Sequence, residues 1–263
     1  MIALETLRIT RPADHVAQVT LDRPAAMNAL NTQMGLELMR LLEDVALDPG
    51  DLRCILLTGA GDRAFCAGGD LKERNGMTDQ AWQAQHVVFE RMFRALLDCP
   101  IPVIGLVNGV AYGGGCEVAA ACDFLYAADC ARFALPEVTL GIMPGGGGTQ
   151  TIARAMGERR AKELLLSGKP FTANEAAGWG LVNAVFPAGD LAAAGLAMAS
   201  AIARNAPLAV RQCKQSIHRG LQMALSDALA FEIEVYNRLV PTDDRREGVR
   251  AFREKRPARF QGR

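Results

Sequence analysis

Histidine is scarce in this chain: His15, His86 and His218 lie far apart among 263 residues, and no C-x-x-C pair occurs. A zinc site is therefore not expected. The longest apolar stretches are too short or too interrupted to span a bilayer. Met1 to Thr10 carries charges every few residues, with neither a signal-peptide apolar centre nor an Arg- and Ser-rich transit pattern. No run of like charge stands out, and 29 basic residues balance 29 acidic ones. Nucleic acid and anionic membranes are thus poor candidates for the main partner. Seven cysteines, an odd number in a long chain, fit a reducing compartment better than a disulfide framework. A cytoplasmic protein is expected.

Familiar catalytic motifs are missing too. There is no G-x-S-x-G, and Ser167, Ser200, Ser216 and Ser226 fall in helical segments, which argues against a serine hydrolase. Pro144 to Gln150 is glycine-rich but lacks the lysine of a P-loop. Gly59-Ala60-Gly61-Asp62-Arg63-Ala64 formally matches the dinucleotide fingerprint, yet Gly68-Gly69 would break the helix that motif requires.

What is present is a repeating pattern. Half the residues are hydrophobic, enough to bury a large core. His15 to Leu21 alternates like a strand and is expected to pair with Leu4 to Thr10. Met34, Leu38, Leu41, Leu42 and Val45 have helical spacing over Thr32 to Leu47, stopped by Asp48-Pro49-Gly50. Leu52 to Thr58, Ile101 to Val107 and Asp123 to Ala127 read as short buried strands. A helix from Asp79 to Leu97, capped by Thr78, lies between the first two. Strand, connection, helix, strand recurs at least three times, which predicts an α/β domain with a mostly parallel sheet. Beyond it, Thr172-Ala173-Asn174-Glu175 is a capping box. Asp190 to Arg204, Pro207 to His218, Met223 to Leu239 and Asp243 to Lys255 read as helices with apolar faces to cover.

Three stretches carry chemistry. In Val107 to Cys122, glycines open an Ala-rich helix holding one charge, Glu117. A carboxylate among small apolar residues is either paired with an arginine elsewhere or an acid/base catalyst. Phe65-Cys66-Ala67-Gly68-Gly69-Asp70-Leu71-Lys72 is a second tight loop after a strand. The two loops are either ordinary turns or a pair aiming two N–H groups at one oxygen. Glu137, in Phe133 to Val138, is another isolated carboxylate, and apolar burial raises such a group toward the range useful for proton transfer.

Five segments resemble the crotonase (enoyl-CoA hydratase/isomerase) superfamily: Leu21 to Leu30, Phe65 to Lys72, Asn108 to Glu117, Leu135 to Gln150 and Ala251 to Pro257. The resemblance implies a spiral of ββα repeats over residues 1–190. Residues 191–263 would form a helical trimerisation region, usually within a homotrimer or a hexamer of two trimers. It implies that Gly69 and Gly114 N–H groups hold the thioester oxygen of an acyl-CoA, with Glu117 and Glu137 as the two catalytic glutamates of a true hydratase. Arg23, Ala25, Ala67, Gly68, Asp70, Leu71 and Lys72 would contact the CoA substrate from the core. Phe252 and Lys255 would do so from a neighbouring subunit, although Lys255 also reads as a favourable charge at a helix end.

The expected activity is hydration of a 2-enoyl-CoA in fatty acid metabolism, with no metal or redox cofactor. Enoyl-CoA isomerisation or a specialised dehydration is the enzyme alternative; a non-catalytic RNA-binding or scaffolding protein is the other. Asp70 to Arg74, the Pro144 glycine run and the tail from Pro241 are similar to the methylglutaconyl-CoA hydratase branch. The first helix departs from that branch's RNA-binding members: it reads Met34 to Arg40 and Glu43-Asp44 where they carry clustered lysines. Without clustered cations, RNA binding is not expected.

Overall fold

The computed structural model describes residues 4–263. It opens with β1 (Leu7–Ala13) and β2 (Val16–Leu21), an antiparallel hairpin turned at His15. β1 therefore lies later than Leu4 to Thr10, with an irregular register between Thr10 and Ala13. α1 (Thr32–Leu47) begins where Asn31 accepts a hydrogen bond from the Met34 N–H, satisfying one orphan donor of the first turn. Its buried stripe is Met34, Leu38, Leu42 and Val45.

A unit of two strands and one helix follows, and it recurs. β3 (Cys54–Gly59) is succeeded by β4 (Ala64–Cys66), then by the single turn α2 (Leu71–Arg74) and by α3 (Asp79–Leu97). Thr78 caps α3 through the Ala81 N–H, as its sequence predicts. β5 (Val103–Val107) and β6 (Val110–Tyr112) lead into α4 (Gly114–Ala121). β7 (Phe124–Ala128) and β8 (Arg132–Ala134) lead into a 3-10 turn at Glu137–Leu140, then α5 (Gly148–Met156) and α6 (Glu158–Ser167). The first strands of each unit join one sheet and the second strands another. The six-stranded sheet runs β1-β2-β3-β5-β7-β10, parallel except for the opening hairpin. The four-stranded sheet runs β4-β6-β8-β9. Here β9 is Phe171–Thr172 and β10 is Ala184–Phe186, separated by α7 (Ala173–Gly178) with the capping box formed.

This corrects the one-strand-per-repeat reading: β6 intervenes between Asn108-Gly109 and the glycine helix. It also disposes of the dinucleotide fingerprint, because Gly59 ends β3 and Ala64 starts β4 with no helix between. The core lies between the sheets and helices, where Leu56, Phe65, Ile104, Leu106 and Phe133 are fully enclosed.

Four helices close the chain: α8 (Leu191–Ala203), α9 (Pro207–Gly220), α10 (Leu225–Asn237) and α11 (Asp243–Arg253). Specific polar contacts dock them. Arg53 donates to the Ala203 and Phe260 carbonyls at 2.9 and 2.8 Å, and Lys214 pairs with Asp123 at 2.7 Å. Among the described residues no single helix is long and apolar enough to cross a membrane, and no cluster of three His, Cys, Asp or Glu could hold a metal.

Candidate active site

The ends of β4 and β6 are neighbours in the small sheet, so the loops that leave them meet. One is Ala67-Gly68-Gly69; the other is Gly113-Gly114-Gly115. Both need glycine for physical reasons. Gly68 and Gly113 sit at φ of +96° and +49°, and a Cβ on Gly115 would collide with the Cys66 carbonyl. A Cβ on Gly68 would lie 3.4 Å from the Gly114 nitrogen, and one on Gly114 would lie 3.8 Å from the Gly69 nitrogen. The two N–H groups therefore border one small space.

Neither N–H is used elsewhere among the described residues. Gly69 bridges Leu30 in parallel through its neighbours: the Leu30 N–H donates to Gly68 and the Asp70 N–H to Leu30. That geometry turns the Gly69 N–H the other way. Gly114 is the first residue of α4, with no side chain capping that end. Its N–H is one of the orphan donors of a helix N-terminus.

One turn along α4, Glu117 is 4 % exposed. No arginine pairs with it. Its Oε1 instead accepts hydrogen bonds from the Gly146 and Gly148 N–H groups, each at 2.8 Å. The glycine run 145–148 thus acts as a donor loop for a carboxylate. Burial pushes the Glu117 carboxyl up to about 7; the Gly148 and Gly146 N–H groups oppose that shift, and the nearby Glu137 charge adds to it. Glu137, in the turn after β8, has its Oε1 against Gly113. Its Oε2 is buried without a hydrogen-bond partner among the described residues. Burial raises this carboxyl as well.

Both glutamates line a cavity of about 460 Å³. Ala67, Gly68, Gly69, Leu71 and Gly114 line it with them, so seven of the residues singled out by sequence converge. The model matching residues 11–263 is that of enoyl-CoA hydratase/isomerase. The chain belongs to that family. It is 41% identical over 241 residues to a short-chain-enoyl-CoA hydratase of Clostridium acetobutylicum, covering 92% of each chain. It is 40% identical over 257 residues to a 2,3-dehydroadipyl-CoA hydratase of Escherichia coli, covering 94% of this chain and 96% of that one. Among solved structures, an enoyl-CoA hydratase from Bacillus anthracis superposes with a TM-score of 0.96 at 39% identity, over 98% of this chain and 100% of the other. The crotonase fold expected from the five segments is thereby established.

Other residues named from the sequence stand apart from the cavity. Arg23 donates to Asp70 at 2.9 Å and to the Ala29 carbonyl at 2.6 Å, while Asp70 caps α2 through the Lys72 and Glu73 N–H groups. Within this chain those two residues hold the first loop together. Ala25 and Lys72 are exposed near it. Phe252, 85 % exposed, and Lys255 lie at the outer end of α11. Trp82, His86, Phe89 and Phe93, none of them singled out from the sequence, form the far wall together with Arg74 of the Asp70 to Arg74 segment. The helical spacing of positions 82, 86, 89 and 93 was the available signal, since residues three and four apart share a face.

Proposed function

We propose that this protein hydrates a 2-enoyl-CoA, adding hydroxyl to C3 and a proton to C2. The observation that carries this reading is two buried carboxyls, both raised by burial, beside two unused N–H groups in one cavity. Water addition to a double bond conjugated to a thioester needs one ionised carboxylate and one protonated carboxyl. The enolate-like oxygen that develops between them needs donors. Gly69 and Gly114 N–H serve that oxygen, and the positive end of α4 reinforces Gly114. Glu117, whose Oε1 is held by two N–H groups, keeps its other oxygen for the attacking water. Glu137, with an unpartnered buried oxygen, delivers the proton to C2. The Glu137 charge adds to the upward shift of Glu117. No step calls for a metal or redox cofactor.

The CoA end is proposed to lie toward Arg23, Ala25, Asp70 and Lys72, with Phe252 and Lys255 supplied by a neighbouring subunit. α9, α10 and the turn between them carry exposed Ile217, Leu221, Leu225, Leu229, Ile233 and Tyr236, which supports a homotrimer or hexamer built through residues 191–263. A cytoplasmic location and absence of nucleic-acid partners follow from the cysteine content and charge balance. The test is incubation with crotonyl-CoA while the conjugated enoyl absorbance is followed. Its decay with formation of 3-hydroxybutyryl-CoA supports hydration. Conversion of a 3-enoyl-CoA to its 2-enoyl isomer, with no water uptake by any short 2-enoyl-CoA, would replace this reading by isomerisation.

A further inference from the structure

The two N–H groups assigned to the developing oxyanion are held by different means. Gly114 opens a helix, and α4 fixes its N–H. Gly69 has no such support. It follows Gly68 in a loop, and two successive glycines have no side chains and the widest choice of backbone angles. An oxyanion donor nevertheless has to lie within a few tenths of an ångström of its place. The neighbours of Gly69 supply that precision. On one side the Leu30 N–H donates to the Gly68 carbonyl, and on the other the Asp70 N–H donates to the Leu30 carbonyl, both at 2.8 Å. Asp70 is fixed in turn through its carboxylate. Oδ1 accepts from the Lys72 and Glu73 N–H groups at 3.0 and 3.3 Å, and Oδ2 accepts from Arg23 Nη2 at 2.9 Å. Arg23 Nη1 donates to the Ala29 carbonyl at 2.6 Å. These bonds close a ring around Gly69, because Arg23 grips the residue before Leu30 and the residue after Gly69. Its own backbone is anchored too. The Arg23 N–H donates to Asn28 Oδ1, and the fully buried Asn28 amide donates to the Ala60 and Ala64 carbonyls.

We propose that the Arg23–Asp70 ion pair is a positioning device for the Gly69 N–H, and that both residues act on the reaction through that donor. The inference rests on the reading of Gly69 as an oxyanion donor. Neither Arg23 nor Asp70 lines the cavity, so neither touches the reacting atoms. The pair is sheltered, with side-chain exposures of 24% and 11%, and water screens it less than an ordinary surface bridge. Burial alone would raise the Asp70 carboxyl. The Arg23 guanidinium and the Glu73 and Lys72 N–H groups outweigh burial and hold the carboxyl below its usual value. Removing either partner leaves the other charge half-buried and uncompensated. The strain then falls on the segment least able to resist it, the glycine pair. A planar fork suits the task, since its two Nη groups reach two acceptors at a fixed separation and an ammonium does not. The rival role is direct contact with CoA, which predicts weaker binding of CoA thioesters and no change at the carbonyl.

The test uses wild type, Asp70→Asn, Arg23→Lys, Arg23→Met and the double variant Arg23→Met with Asp70→Asn. Asp70→Asn keeps an oxygen for the Lys72 and Glu73 N–H groups and removes only the charge. In Asp70→Asn and Arg23→Met, kcat for crotonyl-CoA should fall by roughly ten- to a hundredfold, the order expected when a donor is displaced by up to about 1 Å. KM should change little, both for crotonyl-CoA and for the matching pantetheine thioester. Arg23→Lys, which keeps the charge but not the fork, should fall between. The double variant should be no slower than the worse single one, because the same interaction is lost in each. A second readout needs no turnover. Infrared difference spectra of bound butyryl-CoA, labelled with ¹³C at the thioester carbonyl, should show the carbonyl stretch lowered in wild type. In the same variants it should move back toward its value in free butyryl-CoA. An unchanged carbonyl stretch in variants folded by circular dichroism, or a KM rise confined to the CoA thioester with kcat intact, would overturn the assignment. A lowered stretch that responds to the variants, in an enzyme that hydrates no enoyl-CoA, would instead strike the proposed reaction and leave the positioning role standing.

Discussion

Glu117 and Glu247 are both nearly buried glutamates on short helices, and they lie at opposite extremes of acidity. Glu117 meets only backbone N–H groups, and burial wins, carrying it up to about 7. Glu247, on α11, accepts from Arg256 and Arg250 and from the Arg259 N–H, and its carboxyl is held far below the usual range. The arginine pairing that was one reading of Glu117 is realised at Glu247 instead. Burial therefore does not identify a reactive carboxylate; the charge of its partners does.

Neutralising each group breaks the comparison most sharply. Glu117→Gln and Glu137→Gln should each lower kcat by roughly two to four orders of magnitude, the range of a general acid or base. Glu247→Gln should instead lower Tm by freeing the C-terminal tail, while kcat of the folded protein stays near the wild-type value. Steady-state hydration and thermal melts on the three variants separate these outcomes. A Glu117→Gln enzyme with near-normal kcat would place Glu117 with Glu247 as a structural group.

The donors come next. Gly114→Pro removes an N–H from the proposed oxyanion site and should cost on the order of a hundred- to a thousandfold in kcat if the variant folds. Gly114→Ala keeps the N–H but adds a methyl 3.2 Å from Leu30 Cδ1, in the space shared with Gly69. It should fold, by circular dichroism, and turn over slowly. A folded proline variant working at the wild-type rate would reduce the three glycines to packing.

Opposite pKa shifts also give opposite pH dependences of stability. Glu117 has a raised folded-state pKa, so its contribution is full below about 4.5 and is lost as pH rises toward about 7. The loss amounts to up to about 3 kcal/mol. Glu247, with a lowered pKa, contributes above its unfolded value and loses that contribution as pH falls into the acid range. Denaturant melts of Glu117→Gln and wild type between pH 4.5 and 8 should therefore diverge, the variant gaining relative stability as pH rises. Parallel curves would mean that Glu117 is not raised. The smallest effect is expected at the periphery. Lys255→Ala should raise KM for acyl-CoA severalfold with kcat little changed, and should spare a pantetheine thioester. An equal rise for both substrates would remove Lys255 from the CoA site.

Much of this was legible in the sequence, unevenly so. Helices with four or more apolar positions on one stripe, such as Thr32–Leu47 and Asp79–Leu97, were read to the residue, because both period and caps were explicit. The second sheet was not, since Ala64–Cys66, Val110–Tyr112 and Arg132–Ala134 are each three residues long, too short to display an alternation. α5 escaped and α6 was legible only in the helical segment around Ser167, because a glycine run opens the first and a glycine joins them without any capping side chain. At the site, the isolated charges and glycines stood out, whereas their partners did not. The bonds from Gly146 and Gly148 to Glu117 span about thirty residues. Nothing local to Arg74 announces that Gln85 holds its Nε and that Trp82 backs its plane.

The measurement that reaches the central claim most directly is crotonyl-CoA turnover in ¹⁸O-labelled water, with mass analysis of the product, for wild type, Glu117→Gln and Glu137→Gln. Wild type should release 3-hydroxybutyryl-CoA bearing one ¹⁸O at C3, and both glutamine variants should make it at least a hundredfold more slowly. Wild-type product without label, or label entering at the wild-type rate in either variant, would contradict an active site in which these two buried glutamates hydrate the double bond.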